Sequence, residues 1–583
     1  MVDALLVAQR SDVAHMAAHR ERYADLPLLC VDPGILDTLI QAGFGNYQLR
    51  RLDVSRDMPA RVYTETITRA TLIDLALTRV RERLFGPGLF QGWDRNALYL
   101  PLHVMLTAQA LRPAIEAAIP EPRIGLLRPD NPLLFNFDSM VPVEVLAADA
   151  RRWSVVDRYS AGRFWNPLLL QACFDFEGIA QAVAAGRAQA VTHLATCFYD
   201  APAFTAAVGA AFAHNIDLPN VYCDVPVRRE RMLLKMADEL EPGWIDPRCA
   251  EYRELARETF IQHLAELLPG RTALQQQADV LARRAWMQAV NYLGLQRALQ
   301  GARPHFVVAD HDNGWLGPLF TLAERMDCPV TVLPHSGYTN AALPHARRVT
   351  AVERAGFGAN VRTLLGQPVA TRAVHLRQPP QPQPRPQLRR ICLLVNTMYA
   401  DGHYRIDLFG LRELFHALRE RAVAHDLDLA VRLKPSTPAL NVVAGALGEP
   451  PEYFGRTTRA PIEQVAAETD LCIAHGELTT GAATFLDAAS LVLHVSEEDW
   501  PTQLAPQAPF LHDRLVHSFR HDTLLALLDR YLAEPGLYQR HQQSQAGAYA
   551  QRHARAHDTI FPASEAAAAA DVHPHASRSP VPC

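Results

Sequence analysis

Lysine is almost missing from this chain. Of its 583 residues 57 are basic, and only two of these, Lys235 and Lys434, are lysine; the other 55 are arginine. A GC-rich coding sequence produces such a bias. Against that background a lysine marks a place suited to a compact ammonium more than to a planar guanidinium fork. A basic excess is also missing: 62 acidic residues outweigh the cations, giving a formal charge of −5. That excludes a general nucleic-acid coat, which needs a cationic surface. No C-x-x-C pair occurs, and the cysteine count is nine, an odd number. A disulfide framework and a zinc ribbon are both disfavoured, and a reducing cytoplasm is expected. Several cysteines stand inside apolar runs such as LLCV and ICLLV, where the thiol serves as a small hydrophobe. No apolar run approaches the ~20 residues of a spanning helix. The opening MVDALLVAQ lacks a basic n-region and a cleavage motif, so it reads as a first strand, not a signal peptide.

What is present is a folded chain with 49% hydrophobic and 20% charged residues. At roughly 150 residues per domain its length allows two to four domains. The clearest boundary is QPPQPQPRPQ at 378–387, where repeated proline blocks helix and sheet pairing and favours an extended linker. The last residues, 563–583, have no core-forming pattern and read as a disordered tail. Between linker and tail, short apolar runs (ICLLVN, LDLAVRLK, DLCIAH, LVLHV) alternate with segments of helical spacing. Runs apolar on both faces, alternating with helices, predict a parallel sheet covered on both sides. Residues 1–377 repeat this grammar in DALLVAQ, LPLLCVD, RIGLLRP, AVTHLATC, NVYCDV, HFVVAD and VTVLPHS. Helical patterns at 249–269 and 274–300 interrupt the series. The expected class is α/β: two Rossmann-like domains, 1–377 with a helical insertion and 388–562, facing a cleft.

In such sheets the residues just beyond each strand face the ligand. Five polar clusters stand there. Asp310-His311-Asp312 follows HFVVA, and His335-Ser336-Gly337 follows VTVLP. Asn396-Thr397 follows ICLLV, Lys434-Pro435-Ser436 follows LAVRL, and His475-Gly476-Glu477 follows LCIA. Thr479, Thr480 and Gly481 then open a helix. Each cluster taken alone is also ordinary turn or capping chemistry. Lys434 supplies a cation for a phosphate or a sugar carboxylate, and the 479–481 turn supplies hydroxyls and N–H groups at a helix N-terminus. Together they suggest a nucleotide-phosphate cradle without a P-loop. Asp310 and Asp312 act on a sugar or, as a D-x-D pair, hold a divalent cation; no metal is expected. A neutral His335 is a candidate proton acceptor. Asp138 is a weaker acid or base candidate.

VRLKPS (431–436) and TDLCIAHGELTTGAATFLDAASLVLHV (469–495) resemble the donor-binding domain of GT-B glycosyltransferases of bacterial capsule, lipopolysaccharide and teichoic-acid assembly. VTVLPHSGY resembles the His-Gly turn of capsule Kdo transferases and glycerophosphotransferases. Ser436 departs from the His-Pro pair of many relatives, and Ser336 interrupts His-Gly. The resemblance implies nucleotide-sugar binding by Lys434, Ser436, His475, Gly476, Glu477, Thr479 and Thr480, with Asp310, Asp312 and His335 catalytic. It implies a nucleotide-sugar donor, foremost a CMP-linked acidic sugar such as Kdo, and a glycan or lipid-linked acceptor. No other cofactor and no nucleic acid are expected. The enzyme would be cytoplasmic; the basic segment 537–558, whose apolar face (Leu537, Tyr538, Ala548, Tyr549) is too thin for deep insertion, either touches the inner membrane peripherally or packs as a C-terminal helix on the N-terminal domain. A CDP-glycerol-type transferase, a nucleotide-sugar epimerase and a non-catalytic glycan-binding protein remain alternatives.

Overall fold

The computed structural model describes residues 2–129, 146, 152–160, 172–194, 201–218, 234–236, 241–268, 271–309, 316–334, 342–357, 361–375, 385, 387–395, 407–433, 440–476, 478, 480–499 and 514–561. The first sheet contains β1 (Ala4–Leu6), β2 (Leu28–Cys30), β3 (Tyr47–Leu49), β4 (Ile124–Pro129) and β5 (Trp153–Tyr159). Its order is β3-β2-β1-β4-β5, all parallel. Next come β6 (Ala172–Phe174), β7 (Ala190–His193), β8 (Asn215–Asp217), β9 (Leu234–Met236), β10 (His305–Ala309), β11 (Val330–Leu333), β12 (Val349–Arg354) and β13 (Ala370–Val374). β6 and β9 form a small antiparallel pair, and the rest make a parallel sheet ordered β13-β12-β11-β10-β7-β8. The third sheet runs through β14 (Arg390–Val395), β15 (Asp428–Leu433), β16 (Leu471–His475), β17 (Leu491–Val495) and β18 (Ser518–Phe519), in the parallel order β15-β14-β16-β17-β18.

The α/β class and its parallel sheets are as expected, but residues 1–377 carry two parallel sheets, not one. The predicted insertion is present as the Arg248–Leu264 and Arg271–Ala298 helices. Two further long helices, Met58–Phe85 and Arg95–Ala118, join the first sheet to this bundle. They interlock at Arg81, which is fully buried with Asp74 and Asp94. Arg81 Nε also donates to Tyr252 Oη at 2.8 Å. The linker expected at 378–387 and the tail at 563–583 lie mostly or wholly outside the described residues. Cys30, Cys173, Cys249, Cys328, Cys392 and Cys472 are buried, as small hydrophobes should be.

The first and third sheets share one apolar core. Leu5, Leu28 and Leu39 pack in the same cluster as Leu393, Leu433, Val443 and Tyr538. The Pro33–Gln41 helix touches the Leu440–Leu447 helix directly. The Pro535–His553 helix lies along the third sheet. Leu537, Tyr538 and Tyr549, three of the four residues of its thin apolar face, are buried there, so that face packs against protein. Gln545 from this helix bonds both the N–H and the carbonyl of Val492. The chain then runs on to the second unit, where His557 bridges Val374 and Phe561 enters an apolar cluster with Phe212. Among the described residues no helix is long and apolar enough to cross a membrane.

Candidate functional site

The third sheet reverses its winding between β14 and β16, since β15 lies on one side of β14 and β16 on the other. A crevice opens at such a switch point, beyond the carboxyl ends of the strands. His475 is the last residue of β16 and stands in register with Val395 and Val495. It is only 7% exposed, and its Nδ1 has no hydrogen-bond partner among the described residues. Gly476 turns the chain with φ of +83°, a conformation that side-chain-bearing residues rarely adopt. His494 fixes that turn: its Nε2–H donates to the Gly476 carbonyl at 2.6 Å, and its Nδ1 pairs with Ser518 Oγ at 2.8 Å. A carbonyl only accepts, so Nε2 carries the proton and Nδ1 accepts from the serine hydroxyl.

His521 opens the His521–Ala533 helix, and its ring centroid lies 5.7 Å from that of His475. Its backbone N–H donates to Glu497 Oε1 at 2.8 Å, which caps the helix. Burial lowers the proton affinity of all three imidazoles. For His475 the value falls to about 3, through burial first and then through His521 and His494. His494 is lowered by burial against the opposing Gly476 carbonyl, and His521 by burial against the nearby Glu497. The cluster is therefore neutral at neutral pH.

Opposite stands the loop after β3, RRLDVSRD (50–57). Arg51 reaches across to Asp407 Oδ2 at 2.9 Å and Glu413 Oε1 at 3.1 Å. Arg56 meets Glu497 at 3.3 Å, and its carbonyl accepts from the Asp499 N–H at 2.8 Å. Asp407 caps the Leu408–Ala424 helix through the Phe409 N–H. Between these walls lies a cavity of about 820 Å³ lined by Val31, Arg51, Asp407, His475, Glu497 and His521, among others. A second cavity of about 880 Å³ continues from it along the Met58–Phe85 helix, with Ser496, Glu498 and Arg520 common to both. The carboxyl ends of two parallel sheets, the first and the third, thus converge on one space.

Of the residues predicted from sequence, His475 and Gly476 line this cavity. Thr480 opens the Thr480–Asp487 helix. Asp310, Asp312, His335, Lys434, Ser436, Glu477 and Thr479, and also Asp138, lie outside the described residues. The described wall facing the third sheet comes from residues 31–59, a segment for which the sequence suggested no role. Glu497 and His521 were missed too, although SEED directly follows the LVLHV strand. Extending the strand-end rule by one strand finds Glu497. Among the described residues no group of three or more His, Cys, Asp or Glu is placed to hold a metal ion.

No family model matches the chain, and no curated protein matches it. Among solved structures it is similar to the glycosyltransferase SnogD from Streptomyces nogalater, at 15% identity over 65% of this chain and 96% of that one, with a TM-score of 0.34. It is similar to spinosyn rhamnosyltransferase SpnG complexed with spinosyn aglycone, at 13% identity over 65% and 98%, TM-score 0.31. It is also similar to an alpha,alpha-trehalose-phosphate synthase (UDP-forming) from Burkholderia vietnamiensis, at 13% identity over 47% and 74%, TM-score 0.26.

Proposed function

We propose that this protein is a nucleotide-sugar-dependent glycosyltransferase acting on a bacterial surface glycan or a lipid-linked acceptor. The observation that carries the reading is the convergence of two parallel sheets, by their carboxyl ends, on one cavity with His475 at the switch point. Large α/β clefts of this kind hold ligands there. The motifs at 431–436 and 469–495 add the nucleotide side. In this reading Lys434 and the Thr479–Thr480 turn hold the donor phosphate, and Ser436, His475, Gly476 and Glu477 hold the nucleoside and sugar. Asp310, Asp312 and His335 serve the reacting carbon. The step is a displacement: the acceptor hydroxyl gives its proton to a base, its oxygen bonds to the anomeric carbon, and the nucleoside phosphate leaves with the electron pair. The donor suggested by the motifs is a CMP-linked acidic sugar such as Kdo.

Release of CMP, CDP, UDP or GDP from a panel of nucleotide sugars tests the reading. One nucleotide should be released, and faster with a surface-glycan acceptor present; none released from any donor contradicts it. Lys434→Ala should weaken binding of the matching nucleotide by about 1.5–3 kcal/mol, as for a hydrogen bond to a charged group. Unchanged affinity by calorimetry removes Lys434 from the site. Turnover should also survive EDTA. Loss on chelation with recovery in Mn²⁺ would instead make Asp310 and Asp312 metal ligands.

A further inference from the structure

The two joined cavities carry an unusual charge balance. Among the described residues their walls hold nine carboxylates against five arginines. Most of these charges are locked in pairs, such as Arg51 with Asp407 and Arg61 with Asp57. Asp53 and Asp522 make no hydrogen bond or ion pair among the described residues, and both are exposed at the wall. The imidazoles of His475 and His521, held neutral by burial, do not offset this excess. A polyanion entering here meets like charge. A hydroxyl group meets fixed acceptors and donors side by side where carboxylates pair with guanidinium N–H groups, as at Asp407 with Arg51 and Asp57 with Arg61. Phe409 and Phe519 add aromatic surface on the same walls.

From this arrangement we infer that the joined cavities are the seat of the acceptor, and that they select a neutral, hydroxyl-rich glycan against an acidic one. The inference rests on the transferase reading but concerns its other substrate. The space fits a chain of sugars: one cavity of about 880 Å³ lies beside the Met58–Phe85 helix and shares the wall residues Ser496, Glu498 and Arg520 with the other, of about 820 Å³. The inner end of that path is His475, nine-tenths buried, with an Nδ1 that has no partner among the described residues. The terminal hydroxyl of the glycan would then stand beside the neutral His475 ring that lines the cavity, where acceptor and donor meet.

A glycan array incubated with the full chain, with no nucleotide sugar present, tests this apart from transfer. The array pairs neutral oligosaccharides with uronate- or Kdo-bearing counterparts of equal length. At low ionic strength the neutral members should be bound, and their acidic counterparts about tenfold less well. The gap should narrow to less than about threefold at 0.5 M salt, because screening shortens the reach of the wall charges. The D53N/D522N variant should raise binding of the acidic members about threefold at low salt and leave the neutral ones within twofold. Equal or tighter binding of acidic glycans, a gap indifferent to salt, no change in the variant, or no glycan bound overturns the inference. A neutral-selective array together with no nucleotide released from any donor would instead keep the glycan site and sink the transferase reading.

Discussion

Arg81 shows what a single charge does inside this molecule. It is fully buried, flanked by Asp74 and Asp94, and it donates to the Phe90 carbonyl at 2.5 Å. Burial pushes the Asp94 carboxyl up, and Arg81 opposes that shift. Removing the cation alone strands two carboxylates in an apolar bundle. Arg81→Met should therefore cost about 3–5 kcal/mol in chemical denaturation; a loss below 1 kcal/mol would mean that water reaches the cluster. His475 gives a prediction with a sign. Its folded pKa of about 3 lies below the ordinary value of 6.5. Between those values the unfolded chain binds a proton that the folded chain refuses, so stability falls as pH drops from 6.5 toward 3. From pH 7 to 5.5 the loss from this residue is about 1 kcal/mol. His475→Asn should flatten that part of the urea-midpoint profile; an unchanged slope would contradict the buried neutral state. The strand-end rule made His475 legible, because a polar residue ends an apolar run. Arg51 and Arg56 were not legible, since charges in a loop look the same in sequence whether they face water or another unit.

At the scale of elements, buried strands were readable, including the edge strand β15 with its apolar LAV, and exposed or very short edge strands were not. LCIAH and LVLHV are buried at every position, and that solid apolar run is what a doubly covered strand requires. The edge strand β13, ATRAV, is mostly exposed or half-exposed, and β18 is two residues long. Nothing in their composition separates them from loops. The closing segment 554–561 is equally quiet in sequence, yet it ties the third unit to the second. His557 donates its N–H to Ala373 and accepts from the His375 N–H, both at 2.9 Å, which extends the second sheet past β13. Phe561 then sets its ring 5.2 Å from Phe212 and 5.8 Å from His305. Burial among these rings lowers His305 to about 4. Phe561→Ala should destabilise the chain by about 3 kcal/mol, the cost of emptying a buried aromatic site. It should also speed hydrogen exchange in β12 and β13 more than in the third sheet. Equal effects on all sheets would deny the segment its role as a tie.

For the whole molecule the decisive feature is the shared core of the first and third sheets beside a polar cavity. Leu5 and Leu28 on one side and Leu393 and Leu433 on the other belong to one apolar cluster. The ion pairs across the cavity mouth are half exposed, with Arg51 at 49% and Asp407 at 51%. Such pairs contribute about 0–1 kcal/mol each and weaken in salt. The core should therefore hold the two units together when the pairs are screened. Small-angle scattering at 0.5 M salt should give an unchanged radius of gyration, and an expansion would mean that the pairs hold the units together. The sequence carried the parallel-sheet grammar of this arrangement but not the partner of the third sheet, because contacts between distant segments leave no local period.

Hydrogen exchange with and without a neutral surface oligosaccharide is the most direct test that this space is where the acceptor binds. Peptides covering 49–59, 407–413, 475–476, 496–498 and 520–523 should all exchange more slowly with the bound glycan, on both walls at once. Slowing confined to segments that do not line the cavity, or to one wall only, would contradict the account.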